Sequence, residues 1–370
     1  MPKASVSYLF PTTYACEEAG HLSMTMASPF LLFLILTSLL SSFAPIAHSN
    51  QHHPHPHAHR SPRLTENYYA KTCPSFDKII QETVTTKQIS NPTTAAATLR
   101  VFFHDCMVEG CDASVLISSN SFNKAEREAD LNEALAGDAF DLVTRAKQAL
   151  ELACPGVVSC ADILAVTTRN LVKIVGGPFF KILLGRKDGL VSKASHVEGN
   201  LARVNTSIDR MIDMFKEKGF TVEEMVALTG GGHTIGFSHC KEFSNRIFNY
   251  SRTSQVDPAL NPKFAQRLQS MCKNYHTKPN QAAFNDPMTP GTFDNMYFQN
   301  LQRGLGLLQS DQVLLTDPRT RPFVQLYARN QTAFFHTFAR AMEKTSVYGV
   351  KTGKEGEVRY RCDAINTVNT

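Results

Sequence analysis

The spacing of apolar residues constrains this chain more than any other feature, because it indicates helices along most of the sequence. Apolar side chains recur three and four residues apart in residues 76–84, 142–150, 323–327 and 334–342, which is the pattern of helices that bury one face. The strict alternation of a half-buried strand is nearly absent. There is no internal repeat and no long linker. The sequence therefore predicts a mostly helical globule, in one or two lobes.

The N-terminal segment is not expected to belong to this globule. Residues 30–40 form an apolar run of 11 residues, whereas a membrane span needs about 20. Such a run is typical of a secretory signal, and the small residues Ala44 and Ala47 offer cleavage sites. We therefore assign residues 1–47 to an N-terminal extension with a signal peptide, with a signal anchor as the alternative. Residues 48–63 are rich in His and Pro and are interpreted as a solvated spacer, although such a tract can also bind a transition metal.

Composition excludes several classes of protein. With 42% hydrophobic and 19% charged residues, the chain is too apolar for a disordered protein. The formal net charge is +5 and is spread along the chain without a block of Lys and Arg, so we expect no nucleic-acid partner. The chain has nine cysteines, so at least one is free, removed or shared with another chain.

The first candidate functional cluster follows an apolar, alanine-rich stretch at residues 94–103. Arg100 and His104 are four residues apart, so on a helix they share one face, and Phe103 lies beside them. A buried Arg and a buried His on one face are costly unless they have a use. The alternative is an ion pair that is satisfied within the core.

An oxygen-rich loop follows directly after His104. Its side chains and carbonyl groups offer ligands at five positions, namely Asp105, Val108, Gly110, Asp112 and Ser114. Hard oxygen ligands in a tight loop suit Ca²⁺. Cys106 and Cys111 can close a small disulfide ring in the same loop. A Cys/His zinc site is the competing interpretation, which a secreted chain disfavours.

The second candidate cluster surrounds His233, which follows three glycines. A further oxygen-rich stretch at residues 284–294 again has a spacing that suits Ca²⁺. Downstream, Asp311 could orient His233 through a ring N–H, as carboxylates do at metal-ligating histidines. Taken singly, Ser310 or Asp311 could instead cap a helix, and Asp294 could form a turn.

Together these clusters resemble the secretory plant, or class III, haem peroxidases over residues 68–366. The motifs that carry the resemblance are Arg100 with Phe103, His104, Asp105 and Cys106; Cys154 and Cys160 with Asp162; His233 with Thr234 and Gly236; and Ser310 with Asp311 and Gln312. The resemblance implies an all-α haem peroxidase fold over residues 64–370, with little β-structure and with one haem b between two helical lobes.

The resemblance also implies an enzyme, a secreted peroxidase that reduces H₂O₂ to water. It would oxidise small phenolic donors in one-electron steps through high-valent iron, in wall lignification and suberisation, oxidative stress and H₂O₂ catabolism. His233 would be the axial iron ligand, with Asp311 as its proximal partner. His104 would be the distal acid and base, and Arg100 would stabilise charge as the O–O bond breaks. Asn132 would accept the Nδ1–H of His104.

Two Ca²⁺ ions and four disulfides are further implications of the resemblance. The distal ion would use the five positions after His104, with Glu126 buttressing both Asn132 and the ion. The proximal ion would be bound by Thr234, Asp286, Thr289, Thr292 and Asp294. The family's pairing maps to Cys73–Cys154, Cys106–Cys111, Cys160–Cys362 and Cys240–Cys272, which leaves Cys16 in the leader.

Some positions depart from the family pattern or narrow the chemistry. The chain has no Trp, and Phe284 stands where related peroxidases place a Trp beneath the haem, so a tryptophan radical is excluded. The glycine run before His233 is one residue longer than usual. Its three glycines could absorb the extra residue as a bulge; otherwise His233 would miss the iron. Ala202 replaces the Pro whose carbonyl contacts aromatic donors. Thr93 and Ala97 replace an Arg and a Ser near the haem propionates.

The remaining expectations concern the whole protein. Secretion predicts N-glycans, for which Asn205, Asn249 and Asn330 are candidates. We expect a monomer in the extracellular space or cell wall, with the vacuole as the alternative, and no stable membrane association after cleavage. The competing function is a secreted glycoprotein that keeps the fold, has lost efficient catalysis and acts by binding or as a structural component.

Overall fold

The structure, a computed structural model, describes residues 64–366. The signal and spacer assignments for residues 1–47 and 48–63, and the leader cysteine Cys16, lie outside the described residues. The described part contains twelve α-helices. In chain order they are α1 (Phe76–Ser90), α2 (Thr94–Val108), α3 (Gly137–Ala153), α4 (Cys160–Ile174), α5 (Ile208–Glu217), α6 (Val222–His233), α7 (Cys240–Ile247), α8 (Pro262–Met271), α9 (Met296–Gln302), α10 (Gln309–Thr316), α11 (Arg321–Arg329) and α12 (Gln331–Ser346).

The prediction of a mostly helical fold with little β-structure is confirmed. The four apolar stretches found in the sequence lie in α1, α3, α11 and α12. The regular strands within residues 64–366 are β1 (Phe237–His239) and β2 (Ala282–Phe284), which pair antiparallel with Phe237 opposite Phe284. In this part of the chain no helix combines the length and the apolar character that crossing a membrane requires.

Local sequence explains where several helices begin. The side chain of Ser159 accepts a hydrogen bond from the backbone N–H of Asp162 and begins α4. Thr221 and Glu224 form a capping box at the start of α6, and Pro262 occupies the first position of α8. These residue types satisfy or remove the free N–H groups of a helix start. The start of α6, which carries His233, is therefore fixed by local chemistry.

The helices pack around two hydrophobic cores. The larger core includes Leu99 of α2 and Met225 of α6, so both helices that carry the candidate histidines belong to it. These two helices also contact each other. The smaller core, which we call the second core, includes Phe243 of α7 and Leu268 of α8. Each fully buried side chain of this kind contributes about 1.5–3 kcal/mol to stability.

Four disulfides join these elements. They pair Cys73 with Cys154, Cys106 with Cys111, Cys160 with Cys362, and Cys240 with Cys272. These are the four pairs that the resemblance implies. The bond from Cys160 to Cys362 spans 202 residues and ties the start of α4 to the C-terminal segment. The bond from Cys240 to Cys272 ties α7 to the end of α8 and encloses most of the second core.

The C-terminal segment returns to the loop that follows α2. Arg359 is fully buried and donates to the carbonyl oxygens of Asp112 at 3.2 Å and Ala113 at 2.8 Å in that loop. The backbone N–H of Ser118 donates in turn to the carbonyl oxygen of Asp363 at 2.9 Å. A buried guanidinium requires such partners. The last described residues therefore support the loop after α2.

Candidate active site

The first histidine of the site is held through one ring nitrogen, which leaves the other available. His104 lies on α2, and its Nδ1 is 2.7 Å from Oδ1 of Asn132. Because an amide oxygen only accepts, Nδ1 carries the proton and Nε2 is an acceptor. Arg100, one turn earlier, donates its Nε–H to Nε2 of His104 at 3.3 Å. His104 therefore presents a neutral base beside a guanidinium.

The surroundings keep this histidine neutral. Burial and then the charge of Arg100 lower the pKa of His104 to about 3, against an opposing effect of the hydrogen bond with Asn132. Burial also lowers the pKa of Arg100, although its side chain is accessible to water. Because the Arg100 side chain is accessible to water and yet surrounded by protein, it lines a deep cleft. Phe103 is half-buried next to this cleft and contacts Phe215 of α5, with ring centroids 6.1 Å apart.

The second histidine is held in the same manner, but by a carboxylate. The Nδ1 of His233, the last residue of α6, is 2.7 Å from Oδ1 of Asp311 on α10. Tyr297 of α9 donates its hydroxyl to the same oxygen at 2.8 Å. Asp311 is fully buried, whereas the side chain of His233 is 30% exposed, and its Nε2 has no hydrogen-bond partner among the described residues. A histidine oriented by a carboxylate and open at the opposite nitrogen is the usual arrangement of a metal ligand.

Asp311 binds His233 and also a backbone group at the start of α10, although the cap residue of that helix is Leu308 rather than Ser310 or Asp311. Its Oδ2 accepts the backbone N–H of Leu308 at 3.1 Å, as an acidic residue does in the first turn of a helix, while Oδ1 binds His233. Burial raises the pKa of Asp311, but the charge of His233 and the hydrogen bonds from His233, Tyr297 and Leu308 outweigh it and lower the pKa below its ordinary value. Asp311 therefore remains ionised.

The three glycines before His233 do not form the bulge that the sequence allowed. Residues 230–232 continue α6 as a regular α-helix to His233, and the backbone N–H of Thr234 still bonds to the carbonyl of Gly230 at 2.8 Å. His233, at the end of this regular helix, is in contact with Asp311.

Close packing explains why the run consists of glycines. A Cβ atom on Gly230 would lie 2.2 Å from the ring of Phe298, and a Cβ on Gly231 would lie 2.1 Å from the ring of Phe338. A Cβ on Gly232 would meet nothing within 4 Å. The first two glycines therefore allow α6 to approach α9 and α12, whereas the third faces open space.

The expected distal calcium positions lie at the end of α2 and in the loop after it. Asp105 accepts the backbone N–H groups of Ala113 at 2.9 Å and Val115 at 3.2 Å. Ser114 donates its hydroxyl to Oε2 of Glu126 at 3.1 Å. The Oδ1 of Asp112 accepts the backbone N–H of Ser114 at 3.1 Å, Val108 is the last residue of α2, and Gly110 follows with a φ of +125°. The loop is thus built around buried oxygen atoms.

Glu126 supports Asn132, the partner of His104, through its backbone rather than through its acidic side chain. The side-chain N–H of Asn132 donates to the backbone carbonyl oxygen of Glu126 at 2.8 Å, not to its carboxylate. The carboxylate points instead to Ser114. One residue therefore supports both sites, through two different groups.

Side-chain hydrogen bonds join four of the five expected proximal calcium positions, and the fifth is joined through its backbone. Thr234 donates its hydroxyl to the carbonyl oxygen of Asp294 at 2.8 Å, and the Thr289 hydroxyl is 3.2 Å from both Asp286 Oδ2 and Asp294 Oδ1. Burial raises the pKa of Asp294. Thr292 is exposed and joins the cluster through its backbone N–H, which donates to the Thr289 carbonyl at 3.0 Å.

Comparison with known proteins identifies the family. A family model described as Peroxidase matches residues 79–330. The chain belongs to the peroxidase family. Three relatives from Arabidopsis thaliana place this peroxidase in the secretory plant class that its motifs resemble. Peroxidase 41 is 66% identical over 308 residues, which are 83% of this chain and 93% of that protein. Peroxidase 65 is 62% identical over 306 residues (83% and 90%), and Peroxidase 63 is 54% identical over 335 residues (90% and 97%).

The residues of this peroxidase fit the haem that the family implies. His233 offers an accessible Nε2. Two large apolar rings face solvent on the neighbouring strand pair: Phe237 of β1 is 43% exposed and Phe284 of β2, opposite it, is 49% exposed. Exposed apolar side chains side by side mark a surface that a ligand covers. Of the positions that depart from the family pattern, Ala202 and Thr93 are exposed and Ala97 is half-buried.

The distal loop of the peroxidase fits a cation. Burial and then the charge of Asp112 raise the pKa of Asp105, and burial and then the charge of Asp105 raise the pKa of Glu126 to about 9. The Oε1 of Glu126 is buried without a hydrogen-bond partner. A bound Ca²⁺ relieves such crowding. Within residues 64–366 no three His, Cys, Asp or Glu side chains converge on one point, so a bound ion would also depend on hydroxyl and carbonyl oxygens.

Sequence reasoning missed two side chains of α9 that support the site. Tyr297 binds Asp311, and Asn300 donates to Oδ1 of Asp286 at 2.7 Å. Each partner is 14 residues away in the sequence, so no helical spacing connects them. The one feature that could have identified Tyr297 and Asn300 is that both are polar residues on the buried side of a short helix.

The three candidate glycosylation positions of the peroxidase are all exposed. Asn330 also accepts the backbone N–H of Ala333 at 3.0 Å and begins α12. Asn249 lies just after α7 with a positive φ of 57°. Asn205 precedes Ser207, the residue that begins α5.

Proposed function

We propose that this peroxidase is a secreted haem enzyme that reduces H₂O₂ to water and oxidises small phenolic donors in one-electron steps. The observation that carries the proposal is the pair of histidines that are each held through Nδ1, His104 by Asn132 and His233 by Asp311, each at 2.7 Å. Both histidines therefore have an oriented Nε2, one beside Arg100 in a cleft and the other accessible. This is the arrangement that a base and a metal ligand need.

His104 acts as the proton carrier of the reaction. Its neutral Nε2 takes the proton of the incoming peroxide while Nδ1–H stays bonded to Asn132. The imidazolium then returns the proton to the departing oxygen, which leaves as water. The lowered pKa of His104 keeps the base free at the start of each cycle and makes its protonated form a strong acid for the return.

Arg100 stabilises the negative charge that develops on the peroxide oxygen. Its Nε–H points to Nε2 of His104, so the guanidinium lies at the place where the proton is exchanged. A fixed cation in a deep cleft is worth more than one in water.

His233 would hold the haem iron through Nε2, and the bound haem supplies the redox centre for the peroxide and the donor. Asp311 stays ionised, accepts the Nδ1–H of His233 and thereby raises the basicity of the ligating nitrogen.

Two Ca²⁺ ions would hold the helix ends that carry these histidines. The distal ligand set begins at Asp105, directly after His104, and the proximal set begins at Thr234, directly after His233. Each ion would therefore restrict the movement of a site histidine. The donor sets are the hard oxygens that Ca²⁺ prefers.

The proposed reducing substrates are inferred from residues at the exposed edge of the site. Phe284 stands where a Trp would carry protein-radical chemistry, and Ala202 is exposed, so small phenols are the expected donors. The apolar run at residues 30–40 supports secretion to the wall or extracellular space. We further propose a monomer, with N-glycans at exposed sequons.

An absorption spectrum and a matched pair of histidine variants test the proposal. The haem-loaded protein should show a Soret band with one haem per chain. His104→Leu should keep that band and lower guaiacol oxidation by about 100- to 10,000-fold. His336→Leu, which changes an exposed histidine of α12, should leave turnover unchanged. Haem binding without turnover in the unaltered protein would contradict the proposal and favour the catalytically weak binding protein.

A further inference from the structure

A group of charged side chains surrounds Arg203, the residue directly after Ala202. The guanidinium of Arg203 binds the carboxylate of Glu198 at 2.6 Å. The hydrogen bond and the charge of Glu198, and then the charges of Asp130 and Glu242, raise the pKa of Arg203. Because charges in water are largely screened beyond about 8–10 Å, all three carboxylates lie around this guanidinium.

Glu242 of α7 connects this group to the cleft that contains Arg100. Burial lowers the pKa of Arg100, and the charge of Glu242 opposes this effect. The packing agrees with this position, because Phe243 belongs to the second core and Val204 packs against that core. Glu242 and Arg203 are the neighbours of these two residues in the sequence. The half-buried Glu242 therefore lies close to both arginines, at the mouth of the cleft.

An open cavity of about 180 Å³ adjoins the same group. Asp130 and Glu198 line this cavity together with Lys124, and Leu131 contributes to its apolar wall. A cavity of about 150 Å³ is large enough to hold a benzene ring. Leu131 directly precedes Asn132 in the sequence, so a space of the size of an aromatic ring lies next to the loop that holds the first histidine.

Carboxylates outnumber cations in this group. Arg203 is paired with Glu198, whereas neither Asp130 nor Glu242 forms an ion pair or a hydrogen bond among the residues that the structure describes. Lys124 is the other cation at the cavity. A surface with an excess of carboxylates attracts cations and repels anions.

Glu242 also changes how the charge of Arg100 acts on a donor. A guanidinium in a cleft attracts carboxylates, so Arg100 alone would draw phenolic acids into the site. The carboxylate of Glu242 offsets this attraction for a molecule at the mouth, while Arg100 still acts on the peroxide inside. We propose that Glu242, assisted by Asp130, selects the reducing substrate by charge, so that phenols with an amine or without charge are preferred to phenols with a carboxylate. This inference rests on the proposed function, because it names the donors of the same site.

Tyramine, tyrosol and phloretate test the proposal, because they carry the same phenol on the same short linker and end in an amine, an alcohol and a carboxylate. The haem-loaded protein should have a higher kcat/KM for tyramine than for tyrosol, and a higher one for tyrosol than for phloretate. These differences should shrink as the ionic strength rises from about 0.01 M to about 0.15 M. Dissociation constants from the donor-induced change of the Soret band in the resting protein should follow the same order, which measures binding apart from turnover.

Single substitutions then assign the selectivity to residues. Glu242→Gln should lower the ratio of kcat/KM for tyramine to that for phloretate by about fivefold, through KM rather than kcat. Asp130→Asn should lower the ratio less, because its charge acts on Arg203 and not on Arg100. Arg203→Gln removes a cation from the group and should raise the ratio. The control Glu82→Gln changes an exposed acid of α1 and should leave the ratio as it is.

The inference and the proposed function fail in different ways. No turnover of any of the phenols would contradict the proposed function, while the order of the dissociation constants would still decide the inference. Turnover of all of them, with phloretate equal to tyramine or better, would overturn the inference alone. A ratio that is the same in Glu242→Gln as in the unaltered protein, or that the control lowers equally, would overturn it as well. If Glu242→Gln does not fold, Asp130→Asn and the order of the donors in the unaltered protein decide.

Discussion

Gly231→Ala should destabilise the peroxidase, whereas Gly232→Ala, one residue further along the same helix, should stabilise it. A Cβ on Gly231 would lie 2.1 Å from Cε2 of Phe338, and ordinary contacts begin at 3.4 Å. Phe338 is almost fully buried and is packed against Phe293, with ring centroids 4.9 Å apart, and against Phe334. Its ring therefore has little room to move away from an added methyl group.

The magnitude follows from two opposing contributions. Overpacking of a close-packed core costs about 1–3 kcal/mol, and this overlap places Gly231→Ala at the upper end. Replacement of a helical Gly by Ala raises the free energy of unfolding by about 0.5–1 kcal/mol. Gly231→Ala should therefore lose about 2 kcal/mol, whereas Gly232→Ala should gain about 0.5–1 kcal/mol. The difference of about 2–3 kcal/mol corresponds to roughly 5–10 °C in melting temperature.

Guanidinium and thermal unfolding of the two haem-loaded variants, followed by far-UV circular dichroism, measure this difference. Each variant adds one methyl group to the same helix, so the comparison isolates packing from helix propensity. Equal stability of the two variants, within about 0.5 kcal/mol, would refute the conclusion that Gly231 is required by the contact with Phe338.

Three further predictions follow from the site. Tyr297→Phe should lower the free energy of unfolding in urea by about 1.5–3 kcal/mol, because it removes a hydrogen bond to an ionised carboxylate; the control Tyr250→Phe changes an exposed ring and should have no effect. Exhaustive chelation with EDTA should lower melting temperature and activity together, and added Ca²⁺ should restore both; an unchanged protein would argue against structural calcium. The rate of reaction with H₂O₂, measured by stopped flow, should fall only as the pH approaches about 3, because protonation of His104 removes the base and its pKa is lowered to about 3. A loss of rate centred near the ordinary histidine pKa of about 6.5 would contradict the conclusion that burial and the charge of Arg100 lower the pKa of His104.

Local features of the fold could be predicted from the sequence because they depend on neighbouring residues. The helical spacing of residues 76–84 and 142–150 identified α1 and α3. Arg100 and His104 could be placed on one face because they are one turn apart, and they are in contact. The oxygen-rich loop after His104 could likewise be recognised, since its members are close in the sequence.

Contacts between distant residues could not be derived in this way. Eight cysteines allow 105 pairings, so spacing alone does not select one, and the pairing came from resemblance to a family. Tyr297 and Asp311 lie on different helices, and no periodic pattern joins them.

The contacts of Arg359 impose an order on biosynthesis. This residue supports the carbonyl oxygens of Asp112 and Ala113 and follows Asp112 by 247 positions. During translation, the loop after α2 leaves the ribosome long before its support exists, so it cannot reach its final form on the nascent chain. Loading of the proposed distal Ca²⁺ would therefore be a late event, completed after the chain is released. A premature stop that removes only the last dozen residues would then disable a site near the opposite end of the gene.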